Sequence, residues 1–175
     1  MSGSRRCPAR APVAALLALG VLFGTAGAEA HEPAVTNARL RRPQDRALLA
    51  ETIRGAARRL GDPRCQVLLG EFADANHRPL REALEAEGTS APQFLGRLYF
   101  YDGPYQGCGA RRLAYTTPGS RVVYVCGDRL RDVYFRNTTL AEVAVVHETL
   151  HCLGLGENPP TWKEINDRIQ AACRH

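Results

Sequence analysis

Apolar residues recur at the spacing of an α-helix in the first part of the chain, between Pro43 and Gly61. Proline suits the first helical turn and glycine commonly follows the last one, so these two residues predict the bounds of a helix. Arginines at the other positions give it a solvated face. A second, short helix is expected over residues 79–87, where Gly88 ends it. The recurring apolar positions of the first helix are Leu49, Ile53, Ala56 and Leu60.

Short apolar and aromatic runs in the middle of the chain predict β-strands. Residues 66–72 and 93–101 are expected to form two of them. Residues 113–117 and 121–125 flank a turn that contains Pro118-Gly119. Proline followed by glycine is the chemistry of a type II turn, so these two runs predict a β-hairpin.

The last third of the chain predicts two helices. Thr139 and Glu142 have the spacing of a capping box and precede an apolar run, so a helix is expected over residues 140–153. Pro159-Pro160 interrupts the chain, and residues 161–174 are expected to form a closing helix.

The order of these elements predicts an α+β fold, because a run of strands precedes a run of helices. We expect one small domain with an N-terminal helix, a mostly antiparallel sheet, a site helix and a C-terminal helix. The chain has 175 residues, of which 45% are hydrophobic and 23% charged. Such a chain can bury one sizeable core, and its composition is that of neither a disordered nor a fibrous protein.

The first 30 residues have the layout of a secretory signal peptide. Arg5 and Arg6 form a positive start, residues 13–23 are apolar, and small residues follow at the cleavage region. The apolar run is too short for a bilayer, which needs about 20 residues. We therefore expect a signal peptide over residues 1–30, a single domain over residues 31–175, no membrane association after cleavage, and a secreted or periplasmic location.

The charge of the chain gives no reason to expect a nucleic-acid partner. The net charge is +5, and it falls to +3 once three arginines and one glutamate leave with residues 1–30. The basic residues are scattered along the chain, whereas a nucleic-acid-binding surface needs a basic cluster.

Cysteine use fits an exported protein, in which disulfides can form. Five cysteines remain after Cys7 leaves with the leader. Cys108 and Cys126 flank the predicted hairpin and are the preferred pair, and Cys65 with Cys173 is a second choice. Cys152 is then left as a free, buried thiol. The alternative is that these residues are unpaired core cysteines.

The most informative stretch contains His147-Glu148-Thr149-Leu150-His151. Histidines four residues apart lie on one face of a helix, so both imidazoles can bind one Zn²⁺ at about 2.0–2.1 Å. Glu148 can lean toward a zinc-activated water without binding the metal, which suits a general base in hydrolysis. The surrounding positions are uncharged, as expected for a helix buried beneath a metal.

This motif resembles that of the zincin metallopeptidases, and its continuation through Gly154 to Glu157 resembles the extended motif of metzincins. In that family a glycine turns the chain back and the third ligand follows ten residues after the first. The resemblance implies a zincin-like metallopeptidase domain over residues 31–175, with Zn²⁺ as cofactor and a peptide or protein as substrate. It also implies His147, His151 and Glu157 as metal ligands and Glu148 as the catalytic residue. The only methionine is Met1, so the methionine turn of metzincins is absent.

Several alternatives stay open on the sequence alone. Glu164, on the closing helix, can replace Glu157 as the third ligand, as in gluzincins. The protein can be a non-catalytic metal-binding or interaction protein, or a zinc hydrolase of non-peptide amides such as cell-wall linkages. Residues 121–125 are expected as an edge strand on which an extended peptide can lie. The candidates for a second oxyanion donor are Tyr115, Tyr124, Tyr134 and His175.

Overall fold

Helices and a small sheet alternate along the chain in the computed structural model, which describes residues 37–109 and 112–173. The predicted signal peptide, residues 1–30, lies outside the described residues. The strands are β1 (Ala38–Arg39), β2 (Tyr99–Asp102), β3 (Ala114–Tyr115) and β4 (Val122–Val125). The helices are α1 (Pro43–Gly61), α2 (Pro63–Gln66), α3 (Leu68–Glu71), α4 (Leu80–Ala86), α5 (Ala91–Gly96), α6 (Gly127–Arg136), α7 (Thr138–Cys152) and α8 (Trp162–Ala172).

The sheet has the strand order β1-β2-β4-β3 and completes the predicted α+β fold. The expectation of a mostly antiparallel sheet is wrong in detail, because β1–β2 and β2–β4 pair in parallel and only β3–β4 is antiparallel. The cause lies in the connections: α1 to α5 form a helical crossover between β1 and β2, and such a crossover brings the chain back in the same direction.

The predicted hairpin is confirmed as β3 and β4, with Ala114 opposite Val125 and Tyr115 opposite Tyr124. The backbone N–H of Ser120 donates to the carbonyl of Thr117 at 2.9 Å across the turn. Gly119 has φ +78°, the positive value that a type II turn requires at this position. β4 lies between β2 and β3, so the edge strand of the hairpin is β3 and not residues 121–125.

Two predicted strands are wrong over part or all of their length. Residues 66–72 are mostly helical, in α2 and α3, and α5 occupies most of the first half of residues 93–101. The side chain of Asp62 caps α2, and Ser90 forms a capping box with Gln93 at the start of α5. An apolar run this short fits a buried helical turn as well as a strand, and the caps decide between them.

The four predicted helices are confirmed. α1 buries the apolar face that its periodicity indicated, α4 is the expected short helix, and α8 is the closing helix. α7 corresponds to predicted residues 140–153 but starts earlier, because the side chain of Asn137 accepts from Leu140 N–H at 3.2 Å. The predicted capping box is therefore wrong: Glu142 instead accepts from Arg59 Nε at 2.7 Å, in an ion pair that is largely buried.

α7 runs through the interior of the domain and packs against α1, α6, α8 and β3. Its residues from Val145 to Cys152 are all buried, including both histidines and Glu148. A helix that is buried on nearly all sides, as this part of α7 is, needs no polar face. Its position fixes the site histidines inside the core rather than at the surface.

The cysteine predictions are confirmed. Disulfides join Cys108 to Cys126 and Cys65 to Cys173, while Cys152 is free and buried. Two disulfides indicate an oxidising environment. Among the described residues, no helix has both the length and the apolar character needed to cross a membrane.

Candidate metal centre

His147 and His151 lie one turn apart on α7, on the same side of the helix. Their side chains are almost fully buried, and their Nε2 atoms are 2.9 Å apart. The two ring centroids are separated by 4.6 Å. The spacing in the sequence thus brings both imidazole nitrogens to one point, as predicted.

The chain turns sharply where α7 ends, and Gly154 makes the turn. Its N–H donates to the carbonyl of His151 at 2.8 Å, and the N–H of Leu155 donates to the carbonyl of Leu150 at 3.1 Å. These are the two hydrogen bonds of a Schellman motif, which needs a residue with positive φ after the helix. Gly154 has φ +112°, and a Cβ atom there would lie 3.1 Å from the Cβ atom of Asp74.

This turn brings Glu157 back to the histidines. Its Oε1 atom lies 3.3 Å from Nε2 of His147 and 3.3 Å from Nε2 of His151. The three ligand atoms lie within 4.8 Å of one another, so the group could hold a metal ion. The Glu157 side chain is 37% exposed, which places the solvent-facing side of the group at the carboxylate.

Glu164, the alternative third ligand, is engaged at the start of α8. Its carboxylate accepts from the N–H of Thr161 at 2.7 Å and from the Thr161 hydroxyl at 2.8 Å. These hydrogen bonds lower the pKa of Glu164 below its usual value. Glu164 therefore completes a capping box, and among the described residues Glu157 is the carboxylate gathered with the two histidines.

The backbone fixes the second ring nitrogen of His151. Nδ1 of His151 donates to the carbonyl of Leu155 at 2.6 Å, which leaves Nε2 as the acceptor nitrogen. Burial, and next the charge of His151, lower the pKa of His147 to about 4, against an opposing effect of Glu157. Neutral imidazole is the form that binds a metal.

Glu148 is buried beside the histidines but does not belong to the ligand group. Its side chain has an oxygen, Oε2, that is shielded from solvent and has no hydrogen-bond partner within the described ranges. Burial, and next the charge of Glu157, raise the pKa of Glu148 to about 8, while Arg112 and the backbone of Thr116 act in the opposite direction. A carboxylate in this setting binds a proton readily near neutral pH.

The hairpin lies against the site helix. The N–H of Gly119 donates to the carbonyl of His151 at 2.8 Å, and the thiol of Cys152 lies 3.8 Å from the hydroxyl oxygen of Thr116. Burial raises the pKa of Cys152 to about 12, so this thiol stays protonated. The edge strand β3 thus ends next to the helix turn that carries Glu148.

The three tyrosines among the candidate oxyanion donors do not gather at the site. The rings of Tyr115 and Tyr124 stack on each other at 5.2 Å, and Tyr134 packs edge-on against Phe135. No hydrogen bond or ring contact joins these three tyrosines to the metal group in the described parts of the chain. The fourth candidate, His175, lies outside the described residues.

Two residues of α8 that the sequence did not single out lie close to the site. The ring of Trp162 is 6.5 Å from that of His147 and is largely exposed. Asn166, one turn further along α8, is buried. Two features of the sequence could have drawn attention to these residues. Trp162 is the single tryptophan of the chain, and Asn166 follows it by four positions, so a helix places both on one face.

No protein-family model matches this chain, and comparisons with curated proteins and with solved structures found no match either. The residues of the site are therefore the basis for inferring function.

Proposed function

We propose that this protein is an exported zinc-dependent peptidase in which Glu148 is the general base. The observation that carries the proposal is the pairing of two features at one place. Three ligand atoms, from His147, His151 and Glu157, converge within 4.8 Å. The adjacent Glu148 is a buried carboxyl group with an oxygen that has no hydrogen-bond partner among the described residues, and a purely structural metal site needs no such group.

The donor set fits zinc. Two imidazole nitrogens and one carboxylate oxygen form the His₂Glu set of known catalytic zinc sites, which leave one position open. A bound zinc ion would polarise the substrate carbonyl and make water a stronger nucleophile near neutral pH.

Glu148 moves the proton in this proposal. Its Oε2 atom accepts a proton from the attacking water and later donates it to the leaving amine. Burial raises the pKa of Glu148, which helps this carboxyl group to hold that proton between the two steps. The partial exposure of Glu157 leaves one side of the group open to a substrate.

A peptide substrate is supported by the edge strand next to the site. Within the described part of the chain β3 pairs with β4 on one side only, so its other side can pair with an added extended chain. Because the hairpin turn is hydrogen-bonded to His151, a peptide along β3 would pass close to Glu148. This arrangement favours peptide bonds over non-peptide amides as the substrate.

The proposed location outside the cytoplasm is supported by two independent features. Residues 1–30 have the pattern of a signal peptide, and the mature part forms two disulfides. Both fit a secreted or periplasmic protein.

Incubation of oxidised residues 31–175 with a broad peptide library, followed by mass spectrometry of the products, tests the proposal. We expect cleavage that a chelator abolishes and that added Zn²⁺ restores, and no cleavage by Glu148→Gln. Glu85→Gln, an exposed residue of α4, is the matched control and should cleave normally. Chelator-resistant cleavage, or equal cleavage by Glu148→Gln, would refute the proposal.

A further inference from the structure

The two site histidines differ at their second ring nitrogen. Nδ1 of His151 is fixed by the carbonyl of Leu155 at 2.6 Å, whereas Nδ1 of His147 is buried and has no partner among the described residues. A buried polar atom without a partner is unfavourable, because it has lost its hydrogen bonds to water. A metal-binding imidazole normally uses this nitrogen to fix its tautomer and orientation. His147 therefore needs a partner, and the structure offers one.

The candidate partner is Asn166 on the closing helix, α8. Asn166 is only 9% exposed, and its Nδ2 donates to the carbonyl of Trp162 at 2.9 Å. With Nδ2 engaged, the side-chain oxygen Oδ1 remains available as an acceptor. Trp162, one turn earlier, has its ring 6.5 Å from the ring of His147, so this face of α8 is turned toward that histidine.

Asn166 lies one turn after Trp162 on α8, which places it on the face that is turned toward His147, although Nδ1 of His147 has no partner within hydrogen-bonding geometry among the described residues. A small rotation of either side chain is the change that would turn this proximity into a hydrogen bond.

We propose that Asn166 is the positioning residue of His147: its Oδ1 accepts the Nδ1–H proton and holds the ring with the Nε2 lone pair directed at the metal position. This inference rests on the proposed function only in taking the His147 group to be a zinc site. In this proposal α8, the last helix of the described chain, also holds the His147 ring in place through Asn166. Asn166 touches neither the metal position nor the substrate, so its effect is exerted through His147.

Three variants test this role: Asn166→Leu removes the acceptor, Asn166→Asp keeps one, and Asp167→Leu is a control at an exposed neighbouring position. Competition with a chromogenic chelator should show zinc affinity about 10-fold to 100-fold weaker in Asn166→Leu. Asn166→Asp and Asp167→Leu should stay within a few-fold of the wild type.

The Nδ1–H proton of His147 gives a second readout that needs no activity. In ¹⁵N-labelled, zinc-loaded protein this proton should show the downfield shift of a hydrogen-bonded N–H in the wild type and in Asn166→Asp, and should lose it in Asn166→Leu. A wild-type proton with the shift of an N–H that has no acceptor would overturn the proposal, and this result does not depend on whether Asn166→Leu folds. Unchanged zinc affinity in Asn166→Leu would overturn it as well. If the zinc-loaded wild type cleaves no peptide while these readouts are as expected, the proposed function is rejected and the role of Asn166 stands.

A separate observation concerns the surface beside the site. Trp162 is 63% exposed, although its ring lies 6.5 Å from that of His147. Tryptophan contributes a large apolar contact area and is enriched where proteins bind partners. We infer that the indole of Trp162 receives a large apolar side chain of the peptide substrate next to the cleaved bond, which deepens the proposed function by naming a substrate class.

Peptide pairs that differ by phenylalanine or aspartate at single positions test this inference. At the position that meets Trp162, the wild type should prefer phenylalanine, and Trp162→Ala should reduce that preference at least 10-fold through kcat/KM. Phe135→Ala, which removes an exposed aromatic residue from α6, should not change it. In zinc-loaded Glu148→Gln, binding of the phenylalanine peptide should shift the fluorescence of the single tryptophan to shorter wavelength. Peptide cleavage with an unchanged preference in Trp162→Ala would reject this inference alone, whereas absence of any cleavage would reject the proposed function.

Discussion

The backbone N–H of Gly119 donates a hydrogen bond of 2.8 Å to the carbonyl oxygen of His151. The turn of the β3–β4 hairpin thereby pairs one of the carbonyl groups that the end of a helix leaves without an intrahelical partner. The same carbonyl also accepts from the N–H of Gly154 at 2.8 Å. One atom, the carbonyl oxygen of His151, thus joins the hairpin turn to the end of the site helix and to the turn toward Glu157.

Replacement of Gly119 by alanine should destabilise the domain by about 1 kcal/mol. Gly119 has φ +78°, a conformation that costs about 1–2 kcal/mol for a residue with a Cβ atom. A Cβ atom at this position meets nothing within 4 Å, so the cost arises from the backbone alone. Urea unfolding of the metal-free protein measures it. Gly156→Ala, at an equally open position without positive φ, is the control and should change the free energy of unfolding by less than about 0.5 kcal/mol.

Glu157 and Glu164 should differ sharply in their effect on zinc. Glu157→Ala removes one of the three convergent ligand atoms, so zinc affinity should fall by about 10-fold or more. Glu164→Ala removes only the carboxylate that completes the capping box of α8, so zinc affinity should be unchanged while the domain becomes slightly less stable. Isothermal titration with Zn²⁺ and urea unfolding of both variants separate the two effects. If Glu164→Ala loses zinc and Glu157→Ala keeps it, Glu157 is not the third ligand.

Metal binding should quench the fluorescence of this protein. The chain has one tryptophan, Trp162, and its ring lies 6.5 Å from that of His147. Cu²⁺ binds such nitrogen and oxygen donors more tightly than other divalent first-row metals do, and it quenches nearby indole rings. We expect strong quenching with one equivalent of Cu²⁺ in the wild type.

His147→Gln should abolish that quenching. His77→Asn is the control, because His77 lies on the surface with φ +61°, which asparagine tolerates. Equal quenching in His147→Gln and the wild type would show that Cu²⁺ binds elsewhere on the protein.

Local patterns were sufficient for much of the fold. The apolar spacing in α1 predicted its buried face, and Pro118-Gly119 predicted the hairpin. The predictions of short elements failed because tertiary packing decides whether a short apolar run becomes a helix or a strand. Leu68 and Leu69, for example, are buried in a helical turn although they belong to a run that also fits a strand. α6 was not predicted, although Leu130, Val133 and Tyr134 recur at helical spacing and pack on the core.

Long-range contacts explain the remaining differences. Glu142 was expected to cap α7, but Arg59, 83 residues earlier, recruits its carboxylate into a largely buried ion pair. The ligand group was predictable because its members lie within ten residues of one another and a single glycine turn joins them. Asn166 and Trp162 were not, because only the packing of α8 against α7 brings them to His147.

The most direct test of the central claim is the hydrolysis rate of one peptide substrate by wild-type protein and by Glu148→Gln, each shown by elemental analysis to hold one zinc ion per chain. We predict equal zinc content, because Glu148 lies outside the ligand group, and a rate reduced by at least 100-fold in the variant, because a general base contributes about 10²–10⁴-fold. Equal rates in the two zinc-loaded proteins, or a wild-type protein that binds no zinc, would contradict the claim.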